Sequence, residues 1–387
     1  MSQAPSPARL ACAGLISLAV GMGFGRFVYT PILPVMAAAL HLTKAETGWI
    51  ASANFAGYLA GALLAAAPGF KGSARRWMLL ALFASGLTTL AMAAASTSIA
   101  FAAIRFLGGV ASAFVLVFAS TAVLERLARL GQPQWSALHF AGVGLGIAAS
   151  AVLVAGLGAA GLDWRMLWAA SGALSLLGAL AALQLLPPDA AAVPAASRAA
   201  APPPAGRLPA ALLAAYGLFG FGYVITATFL MAIVRASPAA RNVEPVVWLL
   251  VGLAAVPSVW LWTKVSRRIG PLPAYALAAL LEAGGVAVSV LQPTAAGVVL
   301  ASVILGGTFI GMTALGLVAA RESGGEPHRA LAAMTAVFGV GQIAGPSFAG
   351  LVSQKTGDFT LPSLVAAAAR VAAAVASLAA RRQLAAA

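Results

Sequence analysis

Long apolar runs separated by short polar stretches extend from one end of the chain to the other. Each run holds about 20 residues, which is enough for a helix to cross a bilayer. The apolar residues follow one another without alternation, so helices are the structure that would satisfy the backbone in lipid. The pattern predicts twelve spans, at residues 10–38, 48–67, 77–95, 99–123, 136–158, 165–186, 209–235, 245–263, 272–291, 295–320, 331–354 and 361–380.

Short glycine motifs return in the second half of the chain in the same order. Gly23-Phe24-Gly25 returns as Gly220-Phe221-Gly222, and Gly142-Val143-Gly144 returns as Gly339-Val340-Gly341, both 197 residues later. A repeat at one offset indicates two halves of the same architecture. Because each half has six spans, the two would be parallel repeats. The predicted domains are two six-helix bundles, 1–186 and 209–387, and a cytoplasmic Ala/Pro-rich linker, 187–208.

The composition identifies lipid as the solvent of this chain. Hydrophobic residues make up 61% of the sequence and charged residues only 8%, whereas a soluble protein carries roughly 25% charged residues. The net charge of +14 would suggest nucleic acid in a soluble protein, but here its placement matters more. Fifteen lysines and arginines fall in the connections on one side and five in those on the other. This bias predicts cytoplasmic termini and no nucleic-acid partner.

Three local motifs resemble those of a transporter superfamily. They are the basic stretch 262–270, Arg105-Phe106-Leu107-Gly108-Gly109, and Gly341-Gln342-Ile343-Ala344-Gly345-Pro346. With two six-helix halves they resemble the major facilitator superfamily, which implies an all-α membrane protein of two pseudo-symmetric bundles. The second motif is similar to one in proton-coupled members, and the third to a glycine-proline motif of antiporters. That last motif is usually diagnostic in span 5, where this chain has glycines and no proline.

A closer resemblance rests on three stretches of the chain. Residues 25–34 (GRFVYTPILP), 48–54 (GWIASAN) and 222–230 (GYVITATFL) are similar to the YbfB/YjiJ group of bacterial transporters. The resemblance implies a secondary transporter in the bacterial inner membrane, with its substrate site between the halves. It does not identify the substrate.

A few polar side chains inside the spans are candidates for substrate binding. Arg26 is the foremost, because an arginine well inside a membrane costs at least about 2.5 kcal/mol and usually faces a cavity or a partner. It would anchor an anionic group or, alternatively, bond to carbonyls of a helix loosened by its glycines. Tyr29 is one turn further on, and the repeat places Tyr223 opposite Arg26. The other candidates are Asn54 and Tyr58 in span 2 and Gln342 in span 11.

Other ionisable groups are candidates for proton coupling or gating. Arg105 would adjust a neighbour's proton affinity or bind substrate, or would be an interfacial anchor near the outer end of span 4. His139 would make a gate hydrogen bond or serve a proton relay. Glu282 is the acid well inside a span. It would form a buried ion pair with Arg370 or, as a rival interpretation, carry the proton.

Glycine pairs four residues apart predict close helix contacts. In the resembling fold spans 2 and 11 meet between the halves, so these glycines would let the two helices slide; static packing within one half is the alternative. The pairs are Gly57 and Gly61, Gly142 and Gly146, and Gly341 and Gly345.

The function expected from these features is proton-coupled export of a small organic molecule by alternating access. Proton-linked uptake of an organic anion is the alternative, and a membrane-embedded sensor or enzyme is an alternative of another class. An enzyme would need an acid–base or nucleophile–base set at one depth, which one cysteine and three histidines do not supply. We therefore expect a monomer in lipid that uses protons, without metal, cofactor or enzymatic activity.

Overall fold

The computed structural model describes residues 6–67, 72–187, 208–323 and 327–385, and these form helices in the order predicted. Residues 68–71, in the first basic loop, and nearly all of the predicted linker 187–208 lie outside the described residues. The twelve spans are Pro7–Leu18, Ala19–Phe27 and Tyr29–Leu40 (span 1), Lys44–Ala65 (span 2), Ala74–Ala91 (span 3), Ser98–Arg129 (span 4), Ser136–Ala159 (span 5), Trp164–Leu185 (span 6), Ala210–Ala236 (span 7), Glu244–Ala255 and Ser258–Ile269 (span 8), Pro271–Leu291 (span 9), Ala295–Glu322 (span 10), Pro327–Thr356 (span 11) and Thr360–Ala385 (span 12).

Most of these helices pass a simple test for crossing a membrane. Within the described ranges ten helices are long and apolar enough, and the bent pair of span 8 would be an eleventh. Span 3 is the twelfth, an 18-residue helix with Arg75 and Arg76 in its first turn. The Arg75 Nε donates to the Leu186 carbonyl at 3.1 Å, so this charge is held at the end of the helix, outside its apolar stretch.

Span 8 departs from the single helix predicted at 245–263. It consists of two helices that meet at a bend of 47°, and Pro257 lies in the two-residue break between them. Proline lacks the backbone N–H and clashes with the carbonyl four residues earlier, so it bends a helix. The span predicted at 245–263 is therefore present, but as two helices with a bend at Pro257.

The spans pack as two groups that meet along three helix pairs. Span 1 contacts spans 3 to 6, and span 7 contacts spans 9 to 12. Between the groups, span 1 contacts span 7, span 2 contacts span 11, and span 5 contacts span 8. Because an even number of spans returns the chain to its starting side, we call the side with the chain termini the near end. The opposite side, with the connections 41–43 and 357–359, is the far end.

Glycine contacts hold span 1 against span 5. A Cβ added to Gly142 would meet the backbone of Leu15, and one added to Gly146 would lie 2.6 Å from the Cα and carbonyl oxygen of Ala19. The backbones of Leu15 and Ala19 are not able to move aside for an added methyl group as the end of a flexible side chain would. The close approach of these helices therefore depends on the absence of side chains at these positions.

We expect Gly146→Ala to lower the free energy of unfolding by about 1–3 kcal/mol, because the added methyl overpacks the contact with span 1. Gly156→Ala in the same helix is the matched control, since a Cβ there meets nothing within 4 Å. The control is expected to be neutral or slightly stabilising. Thermal unfolding of the two purified variants in detergent makes the comparison, and equal midpoints would contradict the packing described.

Candidate functional site

Span 1 leaves regular α-helical geometry where its glycines are concentrated. Residues Ala19–Phe27 form a π-helix, and Val28 separates it from the α-helix Tyr29–Leu40. A Cβ on Gly23 would meet the Gly146 backbone, and one on Gly25 would meet the Ser85 hydroxyl. The wide turns shift the hydrogen-bonding register, and such segments are frequent at functional sites. Here the π-helix carries Arg26 into the interior.

Arg26 is buried, with 4% of its surface exposed. Aromatic rings surround its guanidinium: the Cζ atom lies 4.2 Å from the ring centre of Tyr58, 4.7 Å from that of Phe55 and 5.5 Å from that of Phe27. Its Nε and Nη2 atoms have no hydrogen-bond partner. Arg26 is thus a buried cation stabilised by ring faces, with donors still free to bind an anion.

Arg105 lies beside the same segment of span 1. Its Nη1 and Nη2 donate to the carbonyls of Gly25 at 3.2 Å and Arg26 at 3.0 Å. Only 4% of the residue is exposed, so the alternative of an interfacial anchor was wrong. The position of Arg105 in the sequence predicted its depth in span 4. It did not show that the side chain points inward, towards span 1. Arg105 helps to hold the backbone that carries Arg26.

Tyr29 and Asn54 make structural hydrogen bonds. The Tyr29 hydroxyl donates to the Thr47 carbonyl at 2.9 Å, and the Arg105 guanidinium lies over the Tyr29 ring at 4.9 Å. The Asn54 Nδ2 donates to the Arg105 carbonyl at 2.8 Å. Both side chains therefore connect spans 1, 2 and 4, and the Tyr29 hydroxyl has a protein partner where we expected substrate.

Tyr223 and Gln342 pair across spans 7 and 11. The Gln342 Nε2 donates to the Tyr223 hydroxyl, while the Gln342 Oε1 is buried without a partner. The Tyr223 ring is nearly parallel to those of Phe309 and Phe338, with centroids 5.9 and 5.8 Å away and interplanar angles of 7° and 4°. The centre of the second half is thus an aromatic cluster with one free acceptor.

Glu282 and Arg370 lie in direct contact between spans 9 and 12. Two hydrogen bonds join them, Nη1 to Oε2 at 2.6 Å and Nη2 to Oε1 at 2.5 Å, and both side chains are fully buried. A Cβ on Gly222 would lie 2.7 Å from the Arg370 Nε, so this glycine of span 7 makes room for the guanidinium. The two-point geometry is that of a strong arginine–carboxylate pair.

His139 is fully buried near the start of span 5. Its Nε2 lies 3.3 Å from the Ser120 hydroxyl, and its Nδ1 has no partner. The surrounding residues include Gly14, where an added Cβ would meet the imidazole. His139 thus joins spans 4 and 5 against span 1, within the first half.

The predicted glycine pairs pack within halves. Gly57 and Gly61 face the backbone of span 4, and Gly341 and Gly345 face that of span 7. The expected sliding contact of spans 2 and 11 through these pairs was therefore wrong, and the alternative of packing within one half is what the structure shows. Two glycines four residues apart lie on the same face of a helix, where another helix is able to approach closely. The spacing does not show which helix packs against that face.

Residues that the sequence did not single out join the halves. A Cβ on Gly48 in span 2 would meet the Pro346 carbonyl of span 11, and one on Gly144 would lie 2.7 Å from the Gly252 carbonyl of span 8. The Ser52 hydroxyl donates to the Ile343 carbonyl at 2.6 Å and lies 2.8 Å from the Ser347 hydroxyl. Gly48 and Ser52 fall in the stretch 48–54 and Gly144 in the repeated motif 142–144, but neither motif indicated a contact between the halves.

Further hydrogen bonds between the halves lie towards the far end. Thr30 donates to the Ala227 carbonyl at 2.7 Å, Gln354 accepts from the Ala45 N–H at 3.0 Å, and Lys44 donates to the Gly357 carbonyl. The bonds of Ala45 and Lys44 place the N-terminus of span 2 against the C-terminus of span 11. The far end is therefore closed in this conformation.

The cavities agree with a closed far end. A groove of about 570 Å³ opens at that end and includes Leu33, Lys44, Phe229 and Arg235 in its lining. Further in, a void of about 10 Å³ lies beside Arg26, room for about one water molecule. The Thr30–Ala227 hydrogen bond lies between these regions along span 1. A substrate therefore requires movement of the halves to reach Arg26.

The chain matches a family model described as an uncharacterised MFS-type transporter, YbfB, over residues 18–378. It belongs to this family. The chain is therefore a multi-pass membrane protein of the major facilitator superfamily, with the all-helical fold that the span pattern predicted. No curated protein matches the chain.

Solved transporters share this fold at low sequence identity. The nucleoside transporter NupG superposes with a TM-score of 0.71 at 18% identity, over 97% of this chain and 99% of that one. A bacterial homologue of the human lysosomal transporter Spinster, in an inward-facing and occupied conformation, gives 0.70 at 14% identity, over 98% of both chains. These likenesses establish the fold and leave the substrate open.

We expect Glu282→Gln and Arg370→Met each to lower the free energy of unfolding by about 3–5 kcal/mol, because each strands a buried charge or donor. The double variant is expected to recover much of that loss, since no charge is left unpaired. Thermal unfolding of the four proteins in detergent measures the coupling. Independent, additive losses would contradict a structural ion pair.

Proposed function

We propose that this transporter moves a small organic anion by alternating access, coupled to protons, with Arg26 as the substrate anchor. The observation that carries the proposal is the imbalance of buried charge. Among the described residues the buried charged side chains are Arg26, Arg105, Glu282 and Arg370. The carboxylate and the Arg370 guanidinium neutralise one another, and Arg105 bonds to carbonyls. Of these four side chains, only Arg26 is bonded neither to an oppositely charged group nor to backbone carbonyls.

A bound anion would supply the missing counter-charge. A buried guanidinium forms its strongest hydrogen bonds with carboxylate or phosphate oxygens, and its desolvation is costly without them. Tyr58, Tyr223 and Gln342 are the other substrate contacts that we propose, since the Tyr58 ring lies against Arg26 and the Gln342 Oε1 beside Tyr223 has no partner. Tyr29 and Asn54 support the site through their backbone bonds.

The closed far end supports alternating access. Two parallel halves that rock about a central site would open the near end while spans 1, 2 and 5 contact spans 7, 11 and 8. We place the near end, with both termini, in the cytoplasm of a bacterial inner membrane, because the loops there carry the excess of lysine and arginine. The closed far end would then lie on the side away from the cytoplasm, and the protein would act as a monomer.

Export is the direction that the antiporter-like motif favours, and proton-linked uptake of the anion is the alternative. The geometry gives Gly341 and Gly345 a packing role against span 7, so the motif supports export less than the sequence suggested. For the proton, Glu282 would have to separate from Arg370 within the second half, while His139 and Arg105 would act as gating groups.

Purified protein is expected to gain thermal stability from the anions benzoate, succinate and phosphate more than from the cation tetraphenylphosphonium. A ligand at 100 times its dissociation constant adds about 2.7 kcal/mol. Arg26→Ala is expected to lose the gain from anions because the counter-charge is gone. Arg26→Lys should retain part of it, since lysine keeps the charge without the two-pronged geometry.

Arg382→Ala is the matched control, because it removes an exposed arginine near the C-terminal end of span 12. It should respond to anions as the wild type does. Stabilisation by the cation in both wild type and Arg26→Ala, with none by anions, would overturn the proposal and favour multidrug export.

Cross-linking tests the movement of the halves. In a Cys12→Ser background, a disulfide between Ser52→Cys and Ser347→Cys is expected to form readily, because the native hydroxyls are 2.8 Å apart. Transport into proteoliposomes of the anion that stabilises the protein most should stop on oxidation and return on reduction. The two single-cysteine variants are the controls. Full transport by the cross-linked protein would show that the far end need not open.

A further inference from the structure

We infer that the site at Arg26 is built for a planar aromatic carboxylate. This inference rests on the proposed function and adds a substrate class to it. Three observations carry it: which guanidinium atoms are free, what covers the guanidinium faces, and the absence of a competing acid among the described residues.

The free atoms of Arg26 form one edge of the guanidinium. Nε and Nη2 are the two atoms without hydrogen-bond partners, and their N–H groups point in the same direction within the guanidinium plane. A carboxylate meets such an edge with two parallel hydrogen bonds and then lies in that plane. Arg370, by contrast, uses Nη1 and Nη2 for Glu282. The edge left open on Arg26 therefore matches a carboxylate in shape as well as charge.

Aromatic rings lie against the Arg26 guanidinium. The Arg26 Cζ lies over the rings of Tyr58, at 4.2 Å, and Phe55, at 4.7 Å. A carboxylate bonded to the open edge would extend the guanidinium plane past these rings. A carboxylate conjugated to an aromatic ring is flat throughout and would stack there. An acid on a saturated ring has bulk out of the plane and would fit less well.

No acid of the described chain competes for Arg26. Glu282 is the buried carboxylate, and both of its oxygens bond to Arg370. The void of about 10 Å³ beside Arg26 is far smaller than an aromatic acid, so the slot must widen when the near end opens. Tyr58 is partly exposed whereas Phe55 is buried.

The test compares benzoate with cyclohexanecarboxylate, which has the same charge and nearly the same size but a saturated ring. At neutral pH both acids are ionised. The concentration that gives half-maximal thermal stabilisation is measured for wild type, Tyr58→Phe and Tyr58→Leu. Each stacked ring pair is worth roughly a two- to twelvefold change in affinity. We therefore expect benzoate to be favoured about tenfold by wild type and by Tyr58→Phe, and about twofold or less by Tyr58→Leu.

The outcomes separate this inference from the proposed function. Equal affinity of the wild type for the two acids would overturn the inference and leave anion transport in place. Stabilisation by phosphate or succinate with none by benzoate would do the same. Stabilisation by none of these anions would overturn both. A preference for benzoate that persists in Tyr58→Leu would overturn the role of the Tyr58 ring, and Arg26→Ala should abolish binding of both acids.

Discussion

A charge inside the membrane must find a partner, and this requirement organises the centre of the protein. Water is absent there, so an isolated guanidinium pays a large desolvation cost. Arg370 meets the requirement with the Glu282 carboxylate. Arg105 meets it with two carbonyls of span 1. Arg26 meets it only in part, with the faces of aromatic rings, and its free edge is the basis of the binding site that we propose.

The shape of span 1 follows from the same requirement. Arg105 bonds the carbonyls of Gly25 and Arg26 at the C-terminal end of the π-helix Ala19–Phe27, where the hydrogen-bonding register changes and Pro31 contributes no N–H. The glycines of that segment allow the backbones of spans 1 and 5 to touch. One short stretch thereby packs the first half, supplies acceptors to Arg105 and presents Arg26 to the interior.

Polar contacts between the halves suit a rocking movement. The glycine pairs of spans 2, 5 and 11 lie against helices of their own half, where overpacking would be costly. The halves also touch closely at Gly48 and Gly144, but their far-end contacts include hydrogen bonds from Thr30, Ser52 and Lys44 to backbone carbonyls. Bonds of this kind are exchanged for water at modest net cost, so that end is able to open while each half stays intact.

Hydropathy along the chain was enough to predict the succession of helices, because this depends on local composition and on the 20-residue span of a bilayer. Arg26, Glu282 and Arg370 were visible as costly buried charges for the same reason. The resemblance to the family rested on sequence motifs, among them residues 25–34, 48–54 and 222–230. The pairing of Glu282 with Arg370 was predicted and is present. Only the tertiary structure decided that Arg105 turns inward, and that Gly48 and Ser52 rather than Gly57 and Gly61 face span 11. A helix pattern specifies the small or polar face of a segment, but the neighbour that covers it is set by the packing of all the helices together.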